Sequence, residues 1–131
     1  MTTPLTLSAF VAVGAGAALG AWLRWGLGLL LNPLFLMVPL GTLAANLVGA
    51  FLMGLALGFV HALPALSPTL KLLLMTGFLG GLTTFSTFSA EGLHLIQHRE
   101  WGWLVVHTAV HVAGSLLFAG AGYAAFNAWR G

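Results

Sequence analysis

The chain contains no cysteine. Disulfides, thiolate nucleophiles and Cys-ligated metal centres are therefore excluded. Charge is nearly as scarce. The 131 residues hold two carboxylates, Glu91 and Glu100, and four permanent cations, Arg24, Lys71, Arg99 and Arg130. Charged residues make up 5% of the chain, against about 25% in a soluble domain. Six charges cannot clothe a water-facing surface, so an ordinary soluble domain, a disordered chain and a secreted disulfide scaffold are all excluded. The pI near 10 comes from four bases against two acids and not from a basic patch, which argues against nucleic-acid binding. Two carboxylates near one helix end, with no nucleophile beside a base, also leave little basis for an enzyme.

What the chain has is apolar length. It is 60% hydrophobic, and its mean hydropathy is +1.03. A helix needs roughly 20 apolar residues to cross a bilayer core. Four runs qualify: about 4–31, 39–60, 69–97 and 101–129. Asn32-Pro33, the Pro64 to Pro68 stretch and His98-Arg99-Glu100 separate them as turns. The expected fold is an all-α integral membrane protein, one four-helix domain spanning 1–131. The N-terminal stretch has no basic n-region and is too long for a signal sequence, so it is expected to be the first span. The Trp residues at 22, 25, 101, 103 and 129 fall near span ends, where aromatic belts form.

Orientation follows the Lys/Arg bias of the loops. Lys71 and Arg130 fall on one side, and Arg99 on the other with Arg24 toward it. Such a balance gives weak topological instruction and is compatible with insertion in both orientations. Small-residue pairs at Gly16/Gly20, Gly54/Gly58, Gly77/Gly81 and Ala45/Gly49 allow close helix approach, either within the chain or between chains.

The segment TGFLGGLTTFSTFSAE, Thr76 to Glu91, is unusual for a span. Gly80-Gly81 followed by Thr83-Thr84 is poor helix, and non-helical backbone at membrane depth survives only when buried in protein or lining a wet cavity. A broken third helix is expected, interrupted around Gly77 to Thr84. Phe85 and Phe88, spaced i, i+3, share a face, and their positive ring edges beside Ser and Thr hydroxyls suit a small anion. Core or lipid-facing phenylalanine is the plainer alternative. Asn46, in the charge-free second span, is either interhelical glue or a pore donor. Arg24 either snorkels to the interface or draws anions to a vestibule. His107, His111 and Ser115 form an i, i+4, i+8 polar stripe on the fourth span. A metal is disfavoured there, because no nearby carboxylate or cysteine completes a ligand set. A wet pathway is the better expectation.

These segments resemble the Fluc (CrcB) family of fluoride channels. GAGAALGAWLRW (Gly14 to Trp25) is similar to the family's first-helix signature, PLGTLAANLVGAF (Pro39 to Phe51) to the second, and TGFLGGLTTFSTFSAE to the third. The resemblance implies a fluoride-selective channel that passively exports toxic cytoplasmic fluoride. It implies an antiparallel dual-topology homodimer in the inner (plasma) membrane, with two pores built from both subunits. It further implies pore-lining Phe85 and Phe88, a pore donor at Asn46, neighbouring hydroxyls at Thr84, Ser86 and Ser115, Arg24 at a vestibule, and a structural sodium ion at the dimer centre on the carbonyls of Gly80 and Thr83. His107 and His111 stand where familiar members carry hydroxyls. With imidazoles in the path, conductance is expected to rise as pH falls through about 6.5, where free histidine charges, or lower if the rings are buried. The competing reading is a small dimeric proton-coupled export transporter using His107, His111 or Glu91. A third is a subunit of a larger complex with no pore of its own.

Overall fold

A computed structural model describes residues 4–131. It is all-helical, with four helices long and apolar enough to cross a membrane: Leu7–Leu34, Leu40–Ala62, Pro68–Gln97 and Trp101–Arg130. Their limits lie within three residues of the sequence expectation. The spans of 30 residues exceed what a ~30 Å core requires at 1.5 Å per residue, so they tilt or reach into the headgroups.

Helix α1 is Leu7–Leu31, started by Thr6, whose hydroxyl accepts from the Ala9 N–H at 3.1 Å. A 3₁₀ turn, Asn32–Leu34, follows. Helix α2, Leu40–Ala62, begins after Pro39, which has no capping side chain. Asn32 supplies the cap from a distance: its Oδ1 accepts from the N–H groups of Gly41 (2.8 Å) and Thr42 (3.1 Å), so the turn also serves the next helix.

The third span is composite. It runs as α3 (Pro68–Lys71), a π-helical stretch (Leu72–Leu79), a further turn α4 (Gly80–Leu82) and then α5 (Phe85–Gln97). Only Thr83 (φ −84, ψ 155) and Thr84 (φ −149, ψ 117) are extended. The expected interruption over Gly77 to Thr84 is thus confined to its last two residues. Gly77, Gly80 and Gly81 stay helical. Two of them are there for close approach: a Cβ on Gly77 would lie 3.1 Å from the Gly16 Cα, and one on Gly81 would lie 3.0 Å from the Ala17 Cα. The Gly77/Gly81 pair faces Gly16/Gly20 of α1, and the two backbones touch. Such contact replaces the hydrophobic drive that is missing between helices in lipid.

Helix α6 is Trp101–Arg130. It packs along α2 by the same device: a Cβ on Gly54 would lie 2.8 Å from the Tyr123 nitrogen, and one on Gly122 would lie 3.1 Å from the Leu55 nitrogen. All three GxxxG pairs are used inside the chain. The small core of Ala45, Leu79 and Leu82 sits where α2 meets the third span. Leu29, Leu30, Leu116 and Leu117 are exposed, as lipid-facing residues should be. Helix α5 folds back on α6 through a tight turn. Arg99 is left-handed (φ 56), Glu100 N–H bonds the Leu95 carbonyl (2.8 Å), and Arg99 N–H bonds that of Ile96 (3.0 Å). This is a Schellman cap with arginine where glycine is usual.

Candidate functional site

Two extended residues in mid-span leave helical donors and acceptors without their usual partners, which hydrocarbon cannot solvate. Each of the interrupted groups the structure pairs is met by a named partner. The Leu79 carbonyl accepts from Thr83 twice, from N–H (3.0 Å) and Oγ1 (2.8 Å). The Gly81 carbonyl accepts from Arg24 Nε at 3.0 Å, a cation at a helix C-terminus. Thr84 is gripped reciprocally by Asn46: its N–H donates to Oδ1 (2.7 Å), and its carbonyl accepts from Nδ2 (3.1 Å). Thr84 Oγ1 then caps α5 by accepting from Thr87 N–H at 3.1 Å. Arg24 is therefore tied to the third span through its Nε. It is bonded at the middle of the third span, and it lines a cavity of about 280 Å³ with Asn32, Thr42, Thr84 and Thr87.

A groove of about 420 Å³ lies on the other side of Thr84. Asn46, Thr83, Thr84, Phe85, Phe88, His111 and Ser115 line it, with Ala50, Val112 and Leu116. Six residues expected at a pore, Asn46, Thr84, Phe85, Phe88, His111 and Ser115, thus meet at one place. Phe85 and Phe88 lie 5.5 Å apart by ring centroids. Phe85 is 78% exposed on the outer face, whereas Phe88 turns inward onto the histidines, stacked on His107 at 4.9 Å with 7° between planes. The α5 N-terminus opens here, and its first-turn N–H groups and dipole favour an anion. Ser86 is exposed, and its hydroxyl lies 3.3 Å from Thr84 Oγ1. Gly80 lies outside the groove, as does His107, which is wholly buried behind it.

Asn46 can be oriented without ambiguity. The Thr84 N–H only donates and its carbonyl only accepts, so Oδ1 and Nδ2 cannot be exchanged. Nδ2 also lies 3.1 Å from His111 Nδ1, which must then be the acceptor, placing the His111 proton on Nε2. Both amide hydrogens of Asn46 are engaged. Asn46 is interhelical glue joining α2, the break and α6, and any ion seeking its protons must compete for them.

A sequence expectation is corrected at the histidines. A carboxylate does reach them: Glu91 Oε1 lies 3.0 Å from His107 Nε2. Glu91, His107 and His111 present ligand-type atoms within 4.8 Å of one another. The set still suits a metal poorly, because His111 Nε2 carries a proton while Nδ1 is held by a donor, the reverse of what a metal-bound imidazole requires. The missed signal was spacing. Thr84, Thr87 and Glu91 fall at i, i+3, i+7, a polar stripe along α5 facing the stripe of α6. Thr87 and Glu91 also line a cavity of about 240 Å³ with His94.

A family model described as CrcB-like protein, Camphor Resistance (CrcB), matches residues 11–123. A protein named fluoride-specific ion channel FluC from Aromatoleum aromaticum is 74% identical over 131 residues, the whole of both chains. Its namesake in Pseudomonas putida is 58% identical over 120 residues, 92% of this chain and 94% of that one. Another in Cupriavidus pinatubonensis is 58% identical over 113 residues, 86% of this chain and 90% of that one. With more than half its length matched by the family model, and with these relatives at such coverage, the chain belongs to the CrcB family.

Proposed function

We propose that the chain is a fluoride-selective channel that lets cytoplasmic fluoride leave passively down its electrochemical gradient. The observation that carries this reading is the groove at the helix break, where aromatic edges, Ser115 and the α5 N-terminus surround a path free of fixed positive charge. A small, strongly hydrated anion needs close donors to replace its water, yet must leave again, and neutral donors meet both needs. Arg24 bonds the Gly81 carbonyl across the break, so its charge is partly spent on the protein. The names carried by close full-length relatives support the same reading, and nothing beyond Glu91 and the histidines favours a proton-coupled transporter.

The functional unit we infer is an antiparallel homodimer in the inner membrane. Only Arg99 lies in a loop on one side, against Lys71 and Arg130 on the other, so either orientation is accessible. The exposed Phe85 would find its partner surface across such an interface. A structural sodium ion at its centre would take the carbonyls of Gly80 and Thr83 from each copy, hard oxygen ligands for a hard cation. Gly80 is exposed, and among the described residues no backbone hydrogen bond ends on the Thr83 carbonyl, so that oxygen is available to such an ion.

Purified protein in potassium-loaded liposomes with a potassium ionophore tests the reading. Fast fluoride efflux without chloride efflux is expected. Equal efflux of both anions, or none, would overturn it.

A further inference from the structure

Two buried ring nitrogens among the described residues have no hydrogen-bond partner, His107 Nδ1 and His111 Nε2. They belong to rings with centroids 4.7 Å apart, and the chemistry of each is set by a separate hydrogen bond at the ring's other nitrogen. Asn46 donates to His111 Nδ1, so His111 Nε2 is an N–H. Glu91 Oε1 stands 3.0 Å from His107 Nε2, and a carboxylate accepts, so the neutral His107 keeps its proton on Nε2 and leaves Nδ1 as a lone pair. One orphan is a donor and the other an acceptor. When His107 takes a second proton it becomes an imidazolium ion-paired with Glu91, and both orphans are then N–H donors.

We propose that His107 and His111 form an anion subsite that is completed by proton uptake at His107 Nδ1, with Glu91 as the positioning residue that holds the His107 ring and balances its charge. The ligand is a small inorganic anion that accepts from N–H, fluoride above all. It is held by His111 Nε2–H and His107 Nδ1–H and brings one proton with it from water. Phe88 lies over both rings, 4.9 Å from each by centroids, and keeps bulk solvent away. The groups that face the pair are few. Glu91 of α5 bonds His107, Asn46 of α2 bonds His111, and Phe88 covers both. His94 shares the Glu91-lined cavity, and Arg24 is turned to the Gly81 carbonyl. The ion pair is not itself the stabilising feature, since buried pairs roughly break even. Its value is that a charge is created only when an anion is there to be held. This deepens the channel reading, on which its link to transport rests.

The test is proton uptake on fluoride addition to the purified, weakly buffered protein near neutral pH, followed with an indicator dye. Wild-type protein is expected to take up close to one proton per chain at saturating fluoride. His107→Gln and Glu91→Gln should each lose most of that uptake, while His94→Gln keeps it. Fluoride efflux is measured on the same variants, and its acceleration at low pH should shrink in His107→Gln. Absence of proton uptake in the wild type, or uptake undiminished in His107→Gln, would overturn the subsite whether or not fluoride is conducted. Absent efflux with intact proton uptake would overturn the channel reading and leave the subsite standing.

Discussion

At the residue scale, Asn46 does more than the pore role its position in the motif suggests. It pairs the Thr84 backbone, which the third span cannot pair itself, and it fixes the state of His111 in doing so. Asn46→Ala should leave the Thr84 N–H and carbonyl unpaired at membrane depth, costing about 1–3 kcal/mol for each group. The expected outcome is a lowered unfolding temperature in detergent together with lost fluoride efflux. A fully stable but inactive variant would instead make Asn46 a pore donor alone. Arg24→Gln keeps a donor within reach of the Gly81 carbonyl but removes the charge. Stability is expected to change little, and efflux to fall at low ionic strength more than at high, because screening already mutes the cation in salt. Fluoride conduction should also rise as pH is lowered. The sign follows from the site: an added proton adds a donor to the path. A flat profile would remove the imidazoles from it.

At the scale of elements, the four spans were legible because each is an uncharged run bounded by turn residues, and bilayer thickness demands little more. The broken third helix was legible, but its place only within a wider interval, Gly77 to Thr84, of which Thr83 and Thr84 alone are extended. Gly77, Gly80 and Gly81 read as helix breakers by propensity, yet in lipid the absence of a side chain serves packing, and α1 lies against two of them. The break fell to the threonines, whose extended backbone Asn46 can bridge. The partnership of Glu91 with His107 was hidden for another reason. They are 16 residues apart on different helices, and only the α5–α6 turn sets which stripe positions meet. That turn offers its own test. Arg99 occupies a left-handed position that costs a non-glycine residue roughly 1–2 kcal/mol. Arg99→Gly should therefore raise the unfolding temperature, provided no contact of the guanidinium is lost. Its effect on orientation is separable, since it removes the sole loop cation on its side.

At the scale of the whole molecule, the chain spends its glycines on binding its own helices into two pairs, α1 with the third span and α2 with α6. Gly81→Leu would push against the backbone of Ala17, which cannot yield as a flexible side chain can. Overpacking of this kind costs typically 1–3 kcal/mol, and aggregation on extraction is the expected readout. Because the GxxxG pairs are consumed internally, the second copy proposed above would have to dock on other surfaces. Crosslinking in native membranes should give a dimer, and a C-terminal tag should be labelled from both sides. Labelling from one side only would rule out dual topology.

The central claim is passive, fluoride-selective conduction, and a planar-bilayer recording tests it most directly. With fluoride asymmetric, chloride symmetric and a pH difference imposed across the membrane, the reversal potential is expected to sit at the fluoride equilibrium potential whatever the direction of the pH gradient. Proton uptake at His107 would then alter the size of the current without moving its reversal. A reversal potential that follows the pH gradient, or the chloride gradient when that is varied instead, would contradict the claim and return the Glu91, His107 and His111 cluster to a proton-coupled transporter.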